Sequence, residues 1–216
     1  MLSFRSVYQF LSALLKIVFV VSLGMTTVHA HSASKTILVL GDSLSAEYGL
    51  ARGEGWVSLM EKQLAEKKIS AQVINASISG ETTIGGKTRL PSLMEKHHPD
   101  IVIIELGGND ALRGLSLKAS EDNFRAMITS AKKEKAQVIL TGMQIPPNYG
   151  KEYAQKFFSL YSMLATEQKI VLVPFLLQGV ADSNDFFQAD RIHPVAKAHP
   201  IILNNVWPRL YPLLRK

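Results

Sequence analysis

Four segments of this 216-residue chain gather residue types that can do chemistry together. Gly41-Asp42-Ser43-Leu44-Ser45 sets a hydroxyl beside a glycine that can turn tightly, which makes Ser43 a nucleophile candidate. The same residues would also serve to cap a helix, a position that Ser and Asp favour. Ser45 stands where the G-x-S-x-G elbow needs its second glycine, so the α/β-hydrolase motif is absent. Asp190-Arg191-Ile192-His193-Pro194 places a carboxylate three residues before an imidazole, where it could accept the Nδ1–H across a turn and leave Nε2 as a base for Ser43. Alone, that pattern reads equally as a capping Asp followed by a surface His. Asn75-Ala76-Ser77-Ile78-Ser79-Gly80 and Gly107-Gly108-Asn109-Asp110 are small-residue turns. Taken with Ser43, they could converge the amides of Ser43 and Gly80 and the side-chain NH2 of Asn109 on a developing oxyanion. The apolar residues Leu112, Leu115, Met143, Ile145 and Pro146 are candidates to line a substrate groove, with ordinary packing as the alternative.

Other patterns fall short. His29 and His31 flank an N-terminal small-residue site, His97 and His98 end a helical stretch, and His199 reads as structural rather than as a metal ligand. There is no cysteine and no H-E-x-x-H cluster, so disulfides and cysteine metal sites are excluded. Glu81-Thr82-Thr83-Ile84-Gly85-Gly86-Lys87-Thr88 approaches a phosphate loop, but an acid occupies the position of its first glycine and would repel phosphate. Lys plus Arg exceed Asp plus Glu by six, without a run of four consecutive cations, which is poor support for nucleic-acid binding. Anionic substrates or transient contact with a membrane surface remain compatible with that excess.

The elements that must position these residues alternate. Thr36–Leu40, Ala71–Asn75, Asp100–Leu106, Ala136–Gly142 and Ile170–Val173 are short β-branched runs. Between them, Gly55–Lys67, Ile84–His97, Ser120–Lys133 and Glu152–Gln168 carry apolar residues at helical spacing. Such alternation predicts right-handed crossovers and a parallel sheet covered on both faces, with the run Ile101 to Ile104 as a central strand. Pro194–Leu214 reads as a helix kinked or broken near Pro200, Pro208 and Pro212. In open parallel sheets the ligand crevice lies beyond the carboxyl ends of the strands, and every candidate above follows a strand.

The first 30 residues contain two cations, Arg5 and Lys16, and no acid; the apolar run Ile17–Met25 and the small-residue exit Val28-His29-Ala30 follow. This is the order of a secretory signal, and nine residues uninterrupted by charge fall short of the ~20 needed to span a bilayer. The expected organisation is therefore a signal peptide over 1–30 and one domain over 31–216, with a net charge of +4 after the two cations are removed. The location that follows is periplasmic or secreted.

Four ordered blocks, Gly41 to Leu44, Asn75 to Gly80, Gly107 to Asp110 and Asp190 to His193, together resemble the SGNH (GDSL) hydrolase family. Gly41 to Tyr48, Glu105 to Gly114 and Met143 to Gly150 resemble its thioesterase, protease and lysophospholipase branch, which also holds arylesterases. The resemblance spans nearly all of residues 36 to 214 and implies a flavodoxin-like three-layer α/β/α sandwich around a five-stranded parallel sheet. It implies Ser43 as nucleophile, His193 as general base and acid, Asp190 as its orienting partner, and Ser43, Gly80 and Asn109 as oxyanion hole, with no metal or cofactor. Two positions depart from the family pattern: Arg191 stands at a usual glycine, and Glu47 at a residue that is small in some relatives. The activity expected is hydrolysis of carboxylic esters or thioesters of a small molecule or lipid. A carbohydrate O-acetyl esterase, or an exported lipid-binding module without turnover, are the alternatives.

Overall fold

The computed structural model describes residues 34–215; the expected signal peptide lies outside them. Five strands form one sheet: β1 (Lys35–Gly41), β2 (Ala71–Asn75), β3 (Ile101–Glu105), β4 (Gln137–Thr141) and β5 (Val171–Val173). All pairings are parallel, in the order β2-β1-β3-β4-β5. Ile37 to Leu40 of β1 and Ile101 to Ile104 of β3 are wholly buried, as the continuous apolar runs require of strands covered on both faces. Each fully buried Ile, Leu or Val of this kind stabilises the fold by roughly 1.5–3 kcal/mol before chain entropy is counted.

Helices α1 (Trp56–Glu66), α2 (Thr83–His97), α4 (Leu117–Lys133) and α5 (Lys151–Gln168) are the crossovers. The chain steps from β1 to β2 in one direction and then from β2 through β5 in the other. Right-handed crossovers therefore put α1 on one face and α2, α4 and α5 on the opposite face. Helix α2 packs on α4 and α4 on α5, while α1 packs on α6 (His199–Leu214), completing three layers. This is the flavodoxin-like sandwich, and its strand order reverses between β1 and β3.

Two elements differ from the sequence reading. A short helix, α3 (Gly108–Leu112), forms within the segment read as a turn. Helix α6 begins at His199 rather than Pro194 and is not broken at its prolines. Pro200 lies in its first turn, where a missing N–H costs no helix hydrogen bond. Pro208 and Pro212 are interior, and the apolar face carrying Ile202, Leu203, Val206, Leu210 and Leu213 is buried around them, so packing outweighs the lost bonds.

Candidate active site

The crevice at the strand-order reversal is built from the residues that follow β1 and β3. At the end of β1, Gly41 is required by a close approach: a Cβ there would lie 2.8 Å from Glu105 Oε2. The chain then turns, with Asp42 Oδ1 accepting the Leu44 N–H (3.0 Å) and the Asp42 carbonyl accepting those of Ser45 (3.2 Å) and Ala46 (3.0 Å). Ser43 stands at the top of this turn, and its N–H has no acceptor among the described residues. The Gly80 N–H likewise has none, and Gly80 adopts a left-handed backbone (φ 78°) that favours glycine. Its loop is anchored to β1 by the Ile78 N–H on the Gly41 carbonyl (3.0 Å).

Asn109, on α3, bridges the two. Its Nδ2 donates to Asp42 Oδ2 (2.9 Å), beside Ser43, and to the Glu81 carbonyl (3.0 Å), beside Gly80. Asp110 fixes the same junction from below: its buried carboxylate accepts the Thr83 N–H (2.9 Å) and the Thr83 and Ser120 hydroxyls. The start of α2 and the start of α3 are thereby clamped together.

The fourth component arrives from the far end of the chain. Residues 187–194 form a narrow loop closed by a bridge between Phe187 and Pro194 and by the Gln188 N–H on the His193 carbonyl (2.8 Å). In it, His193 Nδ1 lies 2.7 Å from Asp190 Oδ2, and His193 Nε2 lies 2.9 Å from Ser43 Oγ. Asp190 Oδ1 also accepts the backbone N–H groups of Ile192 (2.9 Å) and His193 (3.0 Å). Desolvation raises the Asp190 pKa, but the backbone and side-chain bonds from His193 and the Ile192 amide outweigh it and bring the group to about 2. It is a carboxylate at neutral pH, and its contact with Nδ1 fixes that nitrogen as the protonated one.

A hydroxyl, an imidazole and a carboxylate in series, beside two uncommitted amides and a carboxamide, are the parts of an acyl-transfer site. The GDSL-like Lipase/Acylhydrolase family model matches residues 39–201. Esterase TesA of Pseudomonas aeruginosa is 46% identical over 192 residues, covering 89% of this chain and 96% of that protein. A thioesterase 1/protease 1/lysophospholipase L1 of Escherichia coli is 38% identical over 183 residues, covering 85% and 86%. A crystal structure of TesA superposes with a TM-score of 0.81 at 47% identity, covering 83% of this chain and 99% of that one.

This chain belongs to the GDSL-like lipase/acylhydrolase family. It is a hydrolase of carboxylic esters.

The crevice of this hydrolase holds further residues that sequence reasoning did not assign. The Tyr48 ring, half exposed, lies 4.2 Å from that of His193, centroid to centroid, and covers one face of the imidazole. Gln188 Nε2 ties the two loops by donating to the carbonyls of Tyr48 (2.9 Å) and Pro194 (3.1 Å). Arg113 Nη2 donates to the Gly80 carbonyl (3.1 Å). Ser45, the residue that breaks the elbow motif, is buried with its hydroxyl donating to Glu105 Oε2 (2.7 Å) and accepting from Trp56 Nε1 (3.2 Å). Glu105 was legible only as a lone acid ending an apolar run, next to the Gly-Gly turn.

The groove candidates fall into two groups. Met143 and Ile145 are buried and Leu112 is half-buried, all packed in the core, whereas Leu115 and Pro146 are exposed. Among the described residues no three His, Asp or Glu side chains stand close enough to hold a metal ion. His199 is buried, with Nδ1 accepting the Trp56 N–H (3.0 Å).

Proposed function

We propose that this hydrolase cleaves acyl esters and thioesters through an acyl-enzyme on Ser43. The observation that carries the reading is the unbroken series Asp190 Oδ2, His193 Nδ1, His193 Nε2, Ser43 Oγ, with contacts of 2.7 and 2.9 Å at its two gaps. Ser43 Oγ attacks the carbonyl carbon as its proton passes to His193 Nε2, and the ionised Asp190 stabilises the imidazolium that forms. The amides of Ser43 and Gly80 and the Nδ2 of Asn109 receive the oxyanion. His193 then protonates the leaving alcohol or thiol, and a water molecule, deprotonated by His193, releases the acid and restores the Ser43 hydroxyl. No cofactor enters any step of this scheme.

The substrate class we infer is the lipid or aryl ester. The related proteins named as esterase and as thioesterase and lysophospholipase support it, and so does an apolar rim. Six of the eight most exposed large apolar side chains among the described residues, Tyr48, Ile78, Ile84, Leu115, Tyr149 and Ile192, lie on segments at this end of the sheet. Such a rim suits transient contact with a lipid surface. Of the groove candidates, the exposed Leu115 and Pro146 are the ones assigned to the acyl groove, whereas Leu112, Met143 and Ile145 belong to the packed core past the β3 and β4 ends. The N-terminal pattern supports export and cleavage near Ala30. N-terminal sequencing of the protein recovered from a periplasmic fraction checks this, and an intact residue 1 would count against it.

Hydrolysis of p-nitrophenyl esters from acetyl to palmitoyl tests the reaction. The expected outcome is an optimum at medium or long chains, with turnover lowered on the order of 10⁴-fold or more in Ser43→Ala and roughly 100 to 1000-fold in Asn109→Ala. Undiminished turnover in Ser43→Ala would overturn the acyl-enzyme, and an acetyl-only optimum would turn the reading to a carbohydrate esterase.

A further inference from the structure

Behind the Ser43 turn lie two carboxyl groups that the acyl-transfer scheme does not use. Asp42 and Glu105 are almost wholly inaccessible, at 3% and 1% exposure. Glu105 Oε2 lies 3.2 Å from the Asp42 backbone nitrogen, which sets the two carboxyl groups side by side, and none of the ion pairs among the described residues involves either. Two ionised carboxylates so placed, buried and without a counter-ion, do not both persist; one of them takes a proton.

The hydrogen bonds tell which. Asp42 uses both oxygens as acceptors, Oδ1 for the Leu44 N–H and Oδ2 for Asn109 Nδ2, as an ionised carboxylate does. Glu105 takes both of its donors, the Ser45 hydroxyl (2.7 Å) and the Asp42 N–H (3.2 Å), on Oε2 alone. Its Oε1 receives no donor among the described residues. A proton on Oε1 therefore breaks none of these bonds.

The surroundings agree. His193 from the 187–194 loop acts on Asp42 and the Tyr161 phenol from α5 lies near both carboxyls, while α1 contributes the uncharged Trp56 indole through Ser45. Burial raises both carboxyls, Asp42 to about 6; the neighbouring Asp42 charge then raises Glu105 well above the usual carboxylate range. His193 acts on Asp42 in the opposite sense, so a charge kept on Asp42 favours the imidazolium formed during acyl transfer.

We propose that Asp42 and Glu105 share one proton, held on Glu105 Oε1, and that the single negative charge left on Asp42 orients the Asn109 carboxamide for the oxyanion. Asp42 is the positioning residue and Glu105 holds the proton, and this role rests on the reading of Asn109 as an oxyanion donor. The charged Asp42 fixes one Nδ2 hydrogen and with it the plane of the carboxamide. The other hydrogen, on the Glu81 carbonyl in the free protein, is the one that the oxyanion accepts in place of that carbonyl.

Infrared difference spectroscopy of the wild-type protein against Glu105→Gln, at neutral pH, reads the proton directly. The expected result is the carbonyl stretch of a protonated carboxyl in the wild type that Glu105→Gln lacks. In steady-state kinetics Glu105→Gln, a neutral group of the same shape, keeps kcat close to the wild-type value. Asp42→Asn, which exchanges a charge-assisted bond to Asn109 for a neutral one, lowers kcat roughly tenfold with little change in KM. Absence of the protonated-carboxyl band overturns the shared proton. A kcat in Glu105→Gln as low as in Asp42→Asn, or a wild-type kcat in Asp42→Asn, overturns the positioning role. Turnover retained in Ser43→Ala would instead overturn the acyl-enzyme reading, and the infrared result is independent of that outcome.

Discussion

Arg191 holds a left-handed backbone (φ 58°) at the turn between Asp190 and His193. A side chain with a Cβ is strained there, where glycine is not. Its N–H closes the turn on the Gln188 carbonyl (2.9 Å), and its side chain is exposed, so nothing in the contacts requires arginine for the fold. Arg191→Gly should raise the unfolding free energy by about 1 kcal/mol, as read by urea denaturation; a decrease would mean that the arginine side chain stabilises the loop. Glu47, the other departure from the family pattern, also has positive φ (58°), and its carboxylate accepts the N–H groups of Gly53 (3.1 Å) and Gly55 (2.8 Å), closing the loop before α1. Burial raises its pKa, but those amide bonds and the Ser58 hydroxyl lower it further. Of the candidate triad, Ser43 was legible in the sequence because it stood just past a strand, and Asp190 and His193 because a carboxylate three residues before an imidazole came after the last strand. Tyr48 and Glu105 were not, because an aromatic ring near a glycine and an acid at a strand end acquire meaning only from partners brought by other elements.

Two of the helix starts around the site borrow a cap from another element. Helix α1 has Gly55 at its N-cap and α2 has Thr82, neither of which bonds the first turn through its side chain. Remote residues replace them: His199, at the start of α6, accepts the Trp56 N–H, and Asp110, on α3, accepts that of Thr83. Each such bond joins two elements as well as satisfying an orphan donor. No local motif announced these caps, which is why α1 and α2 were legible as amphipathic stretches while their anchoring was not. The His199 bond needs Nδ1 unprotonated. Burial lowers the pKa of His199, against the opposing influence of the Pro194 backbone, Glu47 and Glu54. The folded state therefore disfavours the proton that the unfolded chain accepts near pH 6.5, and the stability contributed by neutral His199 is lost as pH falls through that value towards the lower folded pKa. Thermal unfolding followed from pH 8 to pH 5 should show a fall in Tm that is shallower in His199→Gln; equal slopes would remove His199 as the cause. The sequence likewise misjudged α6 by weighing its prolines without the apolar face that packs on α1.

At the scale of the whole molecule, chemistry and exposed apolar surface share one end of the sheet. Arg113 on the Gly80 carbonyl and the Tyr153 hydroxyl on the Leu115 carbonyl (2.7 Å) link neighbouring loops of that end into a continuous rim. No helix among the described residues is long and apolar enough to cross a membrane; the lipid contact proposed above is surface docking through the apolar rim. Vesicles of mixed phosphatidylglycerol and phosphatidylcholine should sediment the protein, and the double substitution Ile84→Ser with Tyr149→Ser should weaken that binding roughly tenfold while leaving p-nitrophenyl acetate hydrolysis unchanged. Equal sedimentation of both proteins would count against the rim. The layered architecture was legible from the alternation of strand and helix patterns, whereas the convergence of the loops depends on distances that no local pattern encodes. Ser43 and His193 stand 150 residues apart along the chain. The proposed site is thus a late product of biosynthesis: a chain emerging from the ribosome carries the proposed nucleophile long before its proposed base, and on that reading remains inert towards every ester it passes until the last strand and its following loop have docked.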